Sequence, residues 1–250
     1  MGVALYAWLD IRRRRDRNEW TRTLDVAVVF VVREPVSETA VEQAKARTTA
    51  LADHLKTEMI RYRPGYKPFQ FHPFGPVFET DAPPKAGEPG IVSDTRFAYE
   101  SWRYTSKVDD LAGLKARYYD ARIYVVLTPP TNQQRKQIEG ASEQGGRIGI
   151  VEVELDDTMV DFALFVVAHE LFHTLGASDK YDASARVLVP DGLAEPDLVP
   201  MYPQRYVELM ARHRPVDPVV TKPPKSIDEL RVGPATAREI GWSADPNSPR

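Results

Sequence analysis

The sequence predicts an α/β protein, with a mixed, mainly parallel twisted sheet, accompanying helices and an irregular C-terminal subdomain. Two runs, Leu24–Val32 and residues 122–127, are short, continuously apolar and rich in β-branched residues. This pattern is typical of parallel strands that are buried on both faces. Other segments carry apolar residues at three- and four-residue spacing, which indicates helices that each turn one stripe towards a core.

Length and composition indicate a globular domain. A chain of 250 residues suits one substantial domain, which we place at residues 21–250, with the sheet and helices in 21–176 and the C-terminal subdomain in 177–250. The net charge of −3 and the pI near 6.0 do not indicate a nucleic-acid partner. The lack of cysteine excludes disulfides, thiolate metal ligands and a cysteine nucleophile.

Residues 1–20 form a lead-in with two interpretations. Residues 3–9 are apolar and a basic cluster follows at residues 12–17. Seven apolar residues are too few to span a bilayer. The segment is therefore either a solvated lead-in helix or the truncated end of a membrane anchor. An anchor would tether the protein to a membrane, with the domain on the cytoplasmic side by the positive-inside rule.

The first helix is expected directly after the first strand. Ser37 is a suitable cap for a helix that runs to about residue 62, with one apolar stripe. Residues 64–89 are dense in proline and glycine, which predicts a long irregular excursion with a short strand near residues 69–71.

Two further strands follow a helical stretch at residues 96–119. Prolines end the strand at residues 122–127. In the strand at residues 147–155, apolar residues alternate with Glu152 and Glu154, so one face is buried and the other meets water. Charges on an open face favour a position at the edge of the sheet.

The next helix is the most apolar segment of the chain. Thr158 and Asp161 fit a capping box ahead of a helix at residues 159–175, which is apolar nearly all round and therefore buried. In the C-terminal part we expect a short helix at residues 205–212 and a terminal helical segment at residues 226–242.

This buried helix carries an H-E-x-x-H motif. His169 and His173 are four residues apart, so both imidazoles project from one face and can reach one Zn²⁺. Glu170 is rotated by about 100°, where it should miss the metal but reach a water on it. Zinc lowers the pKa of such a water to about 7, and a carboxylate beside it can act as general base and then general acid.

The segment after the helix offers a third ligand. Gly176 suits a helix end that reverses direction, because glycine tolerates a positive φ. Asp179 follows at a spacing from which it can return to the metal, while Asp182, Asp191 and Glu195 lie nearby as alternatives. Three protein ligands would leave the fourth zinc position open, as in catalytic sites.

The eleven residues HELFHTLGASD, numbers 169–179, resemble the H-E-x-x-H-x-x-G-x-x-[HD] signature of the metzincin clan of zinc peptidases. Aspartate in the last position is similar to the snapalysin-type variant. The resemblance implies an αβ catalytic domain, with an active-site helix, a substrate-binding edge strand just before it and a methionine turn beneath the metal.

The resemblance also assigns roles to residues outside the motif. The strand at residues 147–155 occupies the place of the edge strand. Met201, in VPMYPQRY, is the best candidate for the methionine turn. The clan usually has tyrosine two residues after this methionine. Here Tyr202 is adjacent and Tyr206 lies five residues on, so both are candidates for stabilising an oxyanion.

We therefore predict a zinc metalloendopeptidase, a hydrolase that acts on protein or peptide substrates. Its cofactor is Zn²⁺, Glu170 is the general base and acid, and His169, His173 and Asp179 are the ligands. The alternatives are a non-catalytic zinc-binding scaffold of the same fold and a zinc hydrolase of non-protein substrates. A glutamate at position 170 favours an enzyme over the scaffold.

Overall fold

The chain folds around a five-stranded sheet with the strand order β2-β1-β3-β5-β4. The structure is a computed structural model, and it describes residues 16–85, 90–130, 140–142 and 146–243. The strands are β1 (Leu24–Val32), β2 (Phe69–Phe78), β3 (Ala121–Thr128), β4 (Gly140–Ser142) and β5 (Ile148–Glu154). The first four in spatial order are parallel, and β4 is antiparallel to β5. The predicted mixed, mainly parallel sheet is confirmed.

Three helices cover the sheet: α1 (Glu38–Ile60), α2 (Ile91–Ala112) and α3 (Val160–Thr174). α1 and α3 pack against each other and bury the larger of two apolar clusters on one face. α2 covers the other face through Tyr104 and Val108. β1 and β3 lie between these layers and are almost completely buried, which explains their continuous apolar sequences. Ser37 caps α1 as predicted, accepting a hydrogen bond from the backbone N–H of Ala40 at 3.2 Å.

The proline-rich region contains a longer strand than the sequence indicated. We expected an irregular excursion with a strand near residues 69–71, but β2 runs to Phe78 and includes Pro73 and Pro76. Among the described strands it pairs with β1 alone and so lies at the edge, and an edge tolerates prolines because their missing N–H groups face away from the partner. α2 ends at Ala112 rather than near residue 119, because Gly113 adopts the left-handed conformation that ends helices.

The strand before α3 is not an open edge. β4 pairs with β5 over Gly149–Val151, so the prediction of an edge strand at residues 147–155 is wrong for this stretch. The predicted alternation is confirmed, because Val151 and Val153 are buried while Glu152 and Glu154 are partly exposed. The sequence Gly-Ala-Ser of β4 has no apolar pattern that predicts a strand.

The predicted capping box is also wrong. α3 begins at Val160, and Thr158 donates its hydroxyl hydrogen to Asp156 at 2.6 Å instead of capping the helix. Asp161 accepts a hydrogen bond from Arg47 of α1 at 2.7 Å. Thr158 therefore stabilises the turn before α3, and Asp161 stabilises the contact between α3 and α1.

The C-terminal part is less helical than predicted. The expected helix at residues 205–212 is a short strand, β6 (Val207–Glu208), and a 3₁₀ turn, Leu209–Ala211. The remaining elements are β7 (Arg214–Pro215), β8 (Thr221–Lys222), a 3₁₀ turn at Ile227–Glu229, β9 (Leu230–Arg231) and α4 (Pro234–Glu239). β6 pairs with β9 and β7 with β8. Residues of this part, such as Leu230 and Trp242, belong to the same buried cluster as α3.

The described end of the lead-in is packed against the domain. Trp20 is buried and donates from its indole nitrogen to the carbonyl of Ile240 at 2.7 Å. Arg17 is also buried and donates to the carbonyls of Gly146 at 2.9 Å and of Thr174, the last residue of α3, at 3.3 Å. A cation at a helix C-terminus stabilises the helix because it interacts favourably with the negative end of the helix dipole.

No helix in the described part of the chain is long and apolar enough to cross a membrane. The apolar residues 3–9 and the basic residues 12–15 lie outside the described residues, and so does the anchor that they suggested. The membrane tether therefore stays a prediction.

Arg17→Ala should lower the free energy of unfolding by about 1.5–3 kcal/mol, because it leaves the carbonyls of Gly146 and Thr174 without a charged donor. Chemical denaturation measures this change. Arg22→Ala is the control, because this neighbouring arginine is 58% exposed and pairs with Asp120 at the surface, which is worth at most about 1 kcal/mol. Equal losses in the two variants would contradict the capping role of Arg17.

Candidate metal centre

Helix α3 presents two imidazoles on one face. His169 and His173 are separated by one helical turn, and their ring centroids lie 4.7 Å apart with the ring planes at 89°. His169 is 5% exposed and the side chain of His173 is 14% exposed. The helix is buried nearly all round, so both rings are held in place by packing as well as by their own hydrogen bonds.

The chain reverses after α3 and brings a carboxylate to the same point. Gly176 has a φ of +99°, the left-handed conformation predicted for it. Three residues later, Asp179 Oδ1 lies 3.3 Å from the Nε2 atom of His169 and 3.3 Å from that of His173. The two Nε2 atoms are 3.1 Å apart. Donors about 2.0–2.1 Å from a tetrahedral zinc lie roughly 3.3 Å from each other, so the three atoms fit such an ion.

A hydrogen bond at the Nδ1 atom of each imidazole determines that the Nε2 atom faces Asp179. His169 Nδ1 lies 3.0 Å from the carbonyl oxygen of Leu209, and His173 Nδ1 lies 2.9 Å from that of Ala177. A carbonyl oxygen only accepts, so both Nδ1 atoms carry hydrogen. In the neutral rings both Nε2 atoms then present lone pairs to each other and to a carboxylate. This is the arrangement of metal-binding histidines with fixed tautomers.

The electrostatics of the cluster favour positive charge at its centre. Burial acts to lower the pKa of His173, but Asp179 and the charge of Glu170 outweigh it and raise that pKa above its ordinary value. Burial likewise acts to raise the pKa of Asp179, but hydrogen bonds with the two histidines hold it well below its usual range. Both shifts have one cause: electron-rich atoms converge here, and a proton or a metal cation relieves their repulsion.

Glu170 lies in the same region and is almost completely buried, with 3% exposure. Its Oε2 atom has no hydrogen-bond partner among the described residues. The close approach of α3 to β5 fixes its position, since a Cβ added at Gly149 would lie 3.2 Å from Glu170 Cβ. An orphaned buried carboxylate oxygen costs about 1–3 kcal/mol or more and is suited to receive a proton from a ligand or water.

The other acidic candidates for the third ligand are engaged elsewhere. Asp182 accepts hydrogen bonds from the backbone N–H groups of Ser184 and Arg186 in a turn. Glu195 pairs with Arg205, and Asp191 is exposed. Among the described residues, His169, His173 and Asp179 form the group of donors that could hold a metal, with ligand atoms within 4.8 Å of one another.

Two methionines are relevant to the predicted methionine turn. Met201 is 38% exposed in a loop, where its carbonyl accepts a hydrogen bond from Gln204 at 2.8 Å. Met210 is fully buried in the 3₁₀ turn directly after Leu209, the residue whose carbonyl orients His169. Met210 thus lies directly after the residue whose carbonyl orients His169, whereas Met201 lies in a partly exposed loop. The role of Met201 in a methionine turn stays a prediction.

A tyrosine close to the third ligand candidate, Tyr181, was not among the sequence candidates. The guanidinium carbon of Arg231 lies 3.5 Å from the ring centroid of Tyr206. Tyr202 is half-buried. The hydroxyl of Tyr181 accepts a hydrogen bond from Arg212 at 3.2 Å and lies within electrostatic reach of Asp179. Burial raises the pKa of Tyr181 above its ordinary value, so it is a hydroxyl donor at neutral pH. Its position two residues after Asp179 was the only sequence signal.

A buried carboxylate supports the turn that holds His169. Glu208 is fully buried, and its Oε2 accepts from the backbone N–H of Met210 at 2.7 Å. Its Oε1 accepts from the backbone N–H of Gly233 at 3.1 Å and from the hydroxyl of Thr236 at 2.7 Å. Burial raises the pKa of Glu208 to about 7, against the effect of these three donors. Glu208 thus connects the turn of Leu209 with α4.

The chain was compared with known proteins. No protein-family model and no curated protein matches it. An archaemetzincin from Methanopyrus kandleri aligns at 14% identity and a TM-score of 0.34, over 66% of this chain and 78% of that structure. OgpA from Akkermansia muciniphila aligns at 15% identity and a TM-score of 0.37, over 90% of this chain and 62% of the OgpA chain. Similarity this distant carries no argument about function.

The purified protein should contain about one zinc ion per chain, and chelators should remove it with a loss of thermal stability, because metal binding contributes to folding. Asp179→Ala should retain less zinc, since it removes one of three ligands. Elemental analysis and thermal unfolding measure both effects. No transition metal after purification without chelators and with metal supplied would contradict the site.

The pKa of Glu208 predicts a pH dependence of stability. Its folded-state value of about 7 lies above the ordinary 4.5, so its contribution is complete below about pH 4.5 and is lost as the pH rises through 7. We expect the unfolding free energy of the chelator-treated protein, relative to Glu208→Gln, to fall between about pH 5 and pH 8.

Chemical denaturation across this pH range measures that difference. The matched control is Glu42→Gln, at a side chain that is 64% exposed. Its difference from the parent protein should be flat with pH. A flat difference for Glu208→Gln as well would show that its pKa is not raised.

Proposed function

We propose that this chain is a zinc-dependent metalloendopeptidase. The observation that carries the proposal is the convergence of His169, His173 and Asp179 beside the unpartnered, buried carboxylate of Glu170. Three protein ligands leave one position of a tetrahedral zinc open, which is typical of catalytic rather than structural sites. The resemblance of the motif to the metzincin signature supports the same class of reaction.

The ligand residues fit zinc in their chemistry as well as in their spacing, since two imidazoles and one carboxylate are common zinc donors. Zinc held there would supply a Lewis acid that makes water deprotonate near neutral pH. Glu170 would take the proton of the attacking water on its free oxygen and deliver it to the nitrogen of the leaving amine.

Tyr181 and Arg212 add polar groups next to the third ligand. Arg212 donates to the hydroxyl of Tyr181, which lies within electrostatic reach of Asp179. Tyr181 replaces Tyr202 and Tyr206 as our candidate for stabilising negative charge that develops on the substrate carbonyl. A phenol and a guanidinium close to the reacting bond are suitable donors for an oxyanion.

An extended peptide would bind along β4 rather than β5. β4 is the last strand of the sheet, and its outer side has no strand partner among the described residues. A peptide that adds to this edge gains main-chain hydrogen bonds, and an open edge does not require a free terminus. We therefore propose cleavage within chains rather than removal of single N-terminal residues.

Glu170→Gln should keep its zinc and lose at least about 10²-fold in turnover, because the amide preserves size but cannot act as a base. The assay incubates each zinc-loaded protein with a mixture of denatured proteins and maps the new termini by mass spectrometry. Glu100→Gln, on α2 at the opposite face of the sheet, is the matched control and should cleave like the parent protein.

Three outcomes would contradict the proposal. Equal cleavage by the parent and by Glu170→Gln would refute the role of Glu170. A zinc-loaded parent that cleaves none of the proteins would favour a binding scaffold or a hydrolase of other substrates. Release of single N-terminal residues alone would refute endopeptidase action.

A further inference from the structure

The third metal ligand lies in a segment without regular secondary structure. His169 and His173 are held by a buried helix, whereas residues 177–179 belong to no helix or strand. The side chain of Asp179 is also more exposed, at 40%, than those of the two histidines. A ligand on such a segment needs support from elsewhere, because a freely moving segment would lose conformational entropy whenever it binds the metal.

That support comes from the last turn of α4. Glu239 Oε2 accepts a hydrogen bond from the backbone N–H of Ser178 at 3.0 Å. Glu239 Oε1 accepts from the hydroxyl of Ser178 at 2.8 Å and from Lys180 Nζ at 2.6 Å. Lys180 Nζ also donates to the hydroxyl of Ser178 at 2.7 Å. One carboxylate therefore holds the residues on both sides of Asp179.

The Lys180–Glu239 ion pair is more shielded on the side of Lys180 than on that of Glu239, whose side chain is 33% exposed. Lys180 is only 4% exposed, so its charge is shielded from water. Hydrogen bonds to an ionised group are also about twice as strong as neutral ones. The backbone N–H of Lys180 donates to the carbonyl of Met210 at 2.9 Å, which ties the same segment to the turn beneath His169.

The helix that carries Glu239 is itself firmly placed. Ala237 and Ile240 are completely buried. Glu208 receives hydrogen bonds from Gly233 and Thr236 at the start of α4, and Trp20 donates to the carbonyl of Ile240 at its end. Contacts at both ends of α4 thus make it a fixed point for the segment of Asp179.

We infer that α4 positions the third metal ligand, and that Glu239 is the positioning residue that acts through Asp179. The inference rests on the proposed function, since it assumes the metal centre. Glu239 does not contact the metal position. It holds Ser178 and Lys180 so that Oδ1 of Asp179 already points at the two imidazoles before a metal binds. Partners outside the ligand set commonly change metal affinity by about 10–100-fold.

The test measures zinc affinity by competition with a chromophoric chelator. Glu239→Ala should weaken zinc binding by about 10–100-fold. Glu239→Gln should lose less, because its amide oxygen keeps one side of the contact. Arg238→Gln is the matched control, as this exposed neighbour on the same helix should leave affinity unchanged. In an Asp179→Ala background, Glu239→Ala should cause no further loss, because two residues that act through one another are not additive.

A second measurement separates positioning from general stability. With Co²⁺ in place of zinc, the visible absorption spectrum should change in Glu239→Ala, whether or not the metal-free variant is less stable than the parent. A protein that merely lost stability would keep the parent spectrum. If Glu239→Ala does not fold, Glu239→Gln supplies both readings.

The outcomes distinguish the two proposals. If the parent protein binds no zinc, the proposed function fails and this inference with it. If the parent binds zinc and both Glu239 variants bind it as tightly, only the positioning role is wrong. Equal losses from Glu239→Ala with and without Asp179 would also overturn it, because Glu239 would then act independently of the ligand.

Discussion

The structure depends on one electrostatic constraint: two imidazole nitrogens and a carboxylate oxygen face each other at 3.1–3.3 Å in a mostly buried place. Lone pairs at this distance repel unless a cation lies between them. Packing alone would not hold them, because each ring could turn to seek another partner. The carbonyls of Leu209 and Ala177 prevent this by holding the Nδ1 hydrogens, so the protein maintains the repulsion until a proton or a metal cation relieves it.

Both parts of the chain contribute to this arrangement. The sheet and helices supply a rigid α3 with its histidines and Glu170. The irregular C-terminal part supplies the turn Leu209–Ala211, which connects to α3 through Leu209 and to the segment of Asp179 through Met210. The short strands and the six-residue α4 would be marginal alone. They are stable here because their apolar residues share the core of α3, and this shared core also fixes the ligands relative to each other.

The sequence predicted what depends on local pattern. The buried strands β1 and β3, the cap at Ser37 and the spacing of His169, Glu170 and His173 follow from periodicities within a few residues. The failures depend on packing between distant segments. β4 has only three small or polar residues, so no pattern distinguished it from a loop. The roles of Met201, Tyr202 and Tyr206 stay predictions, because nearness to a metal is decided by the path of the chain and not by spacing along the sequence.

Glu170 differs from other buried carboxylates of the chain in the hydrogen-bond partners of its oxygen atoms. Glu58 receives the backbone N–H of Val232 and pairs with Arg61, and Glu208 receives three donors. Glu170 keeps one buried oxygen without a partner among the described residues. An unsatisfied carboxylate oxygen destabilises the folded state, and an apolar residue of similar size there would avoid that loss. Among the described residues, Glu170 is the buried carboxylate with an unpaired oxygen, and it lies next to His169 in the candidate metal centre. This distribution supports the proposal that the site gives up stability for proton transfer.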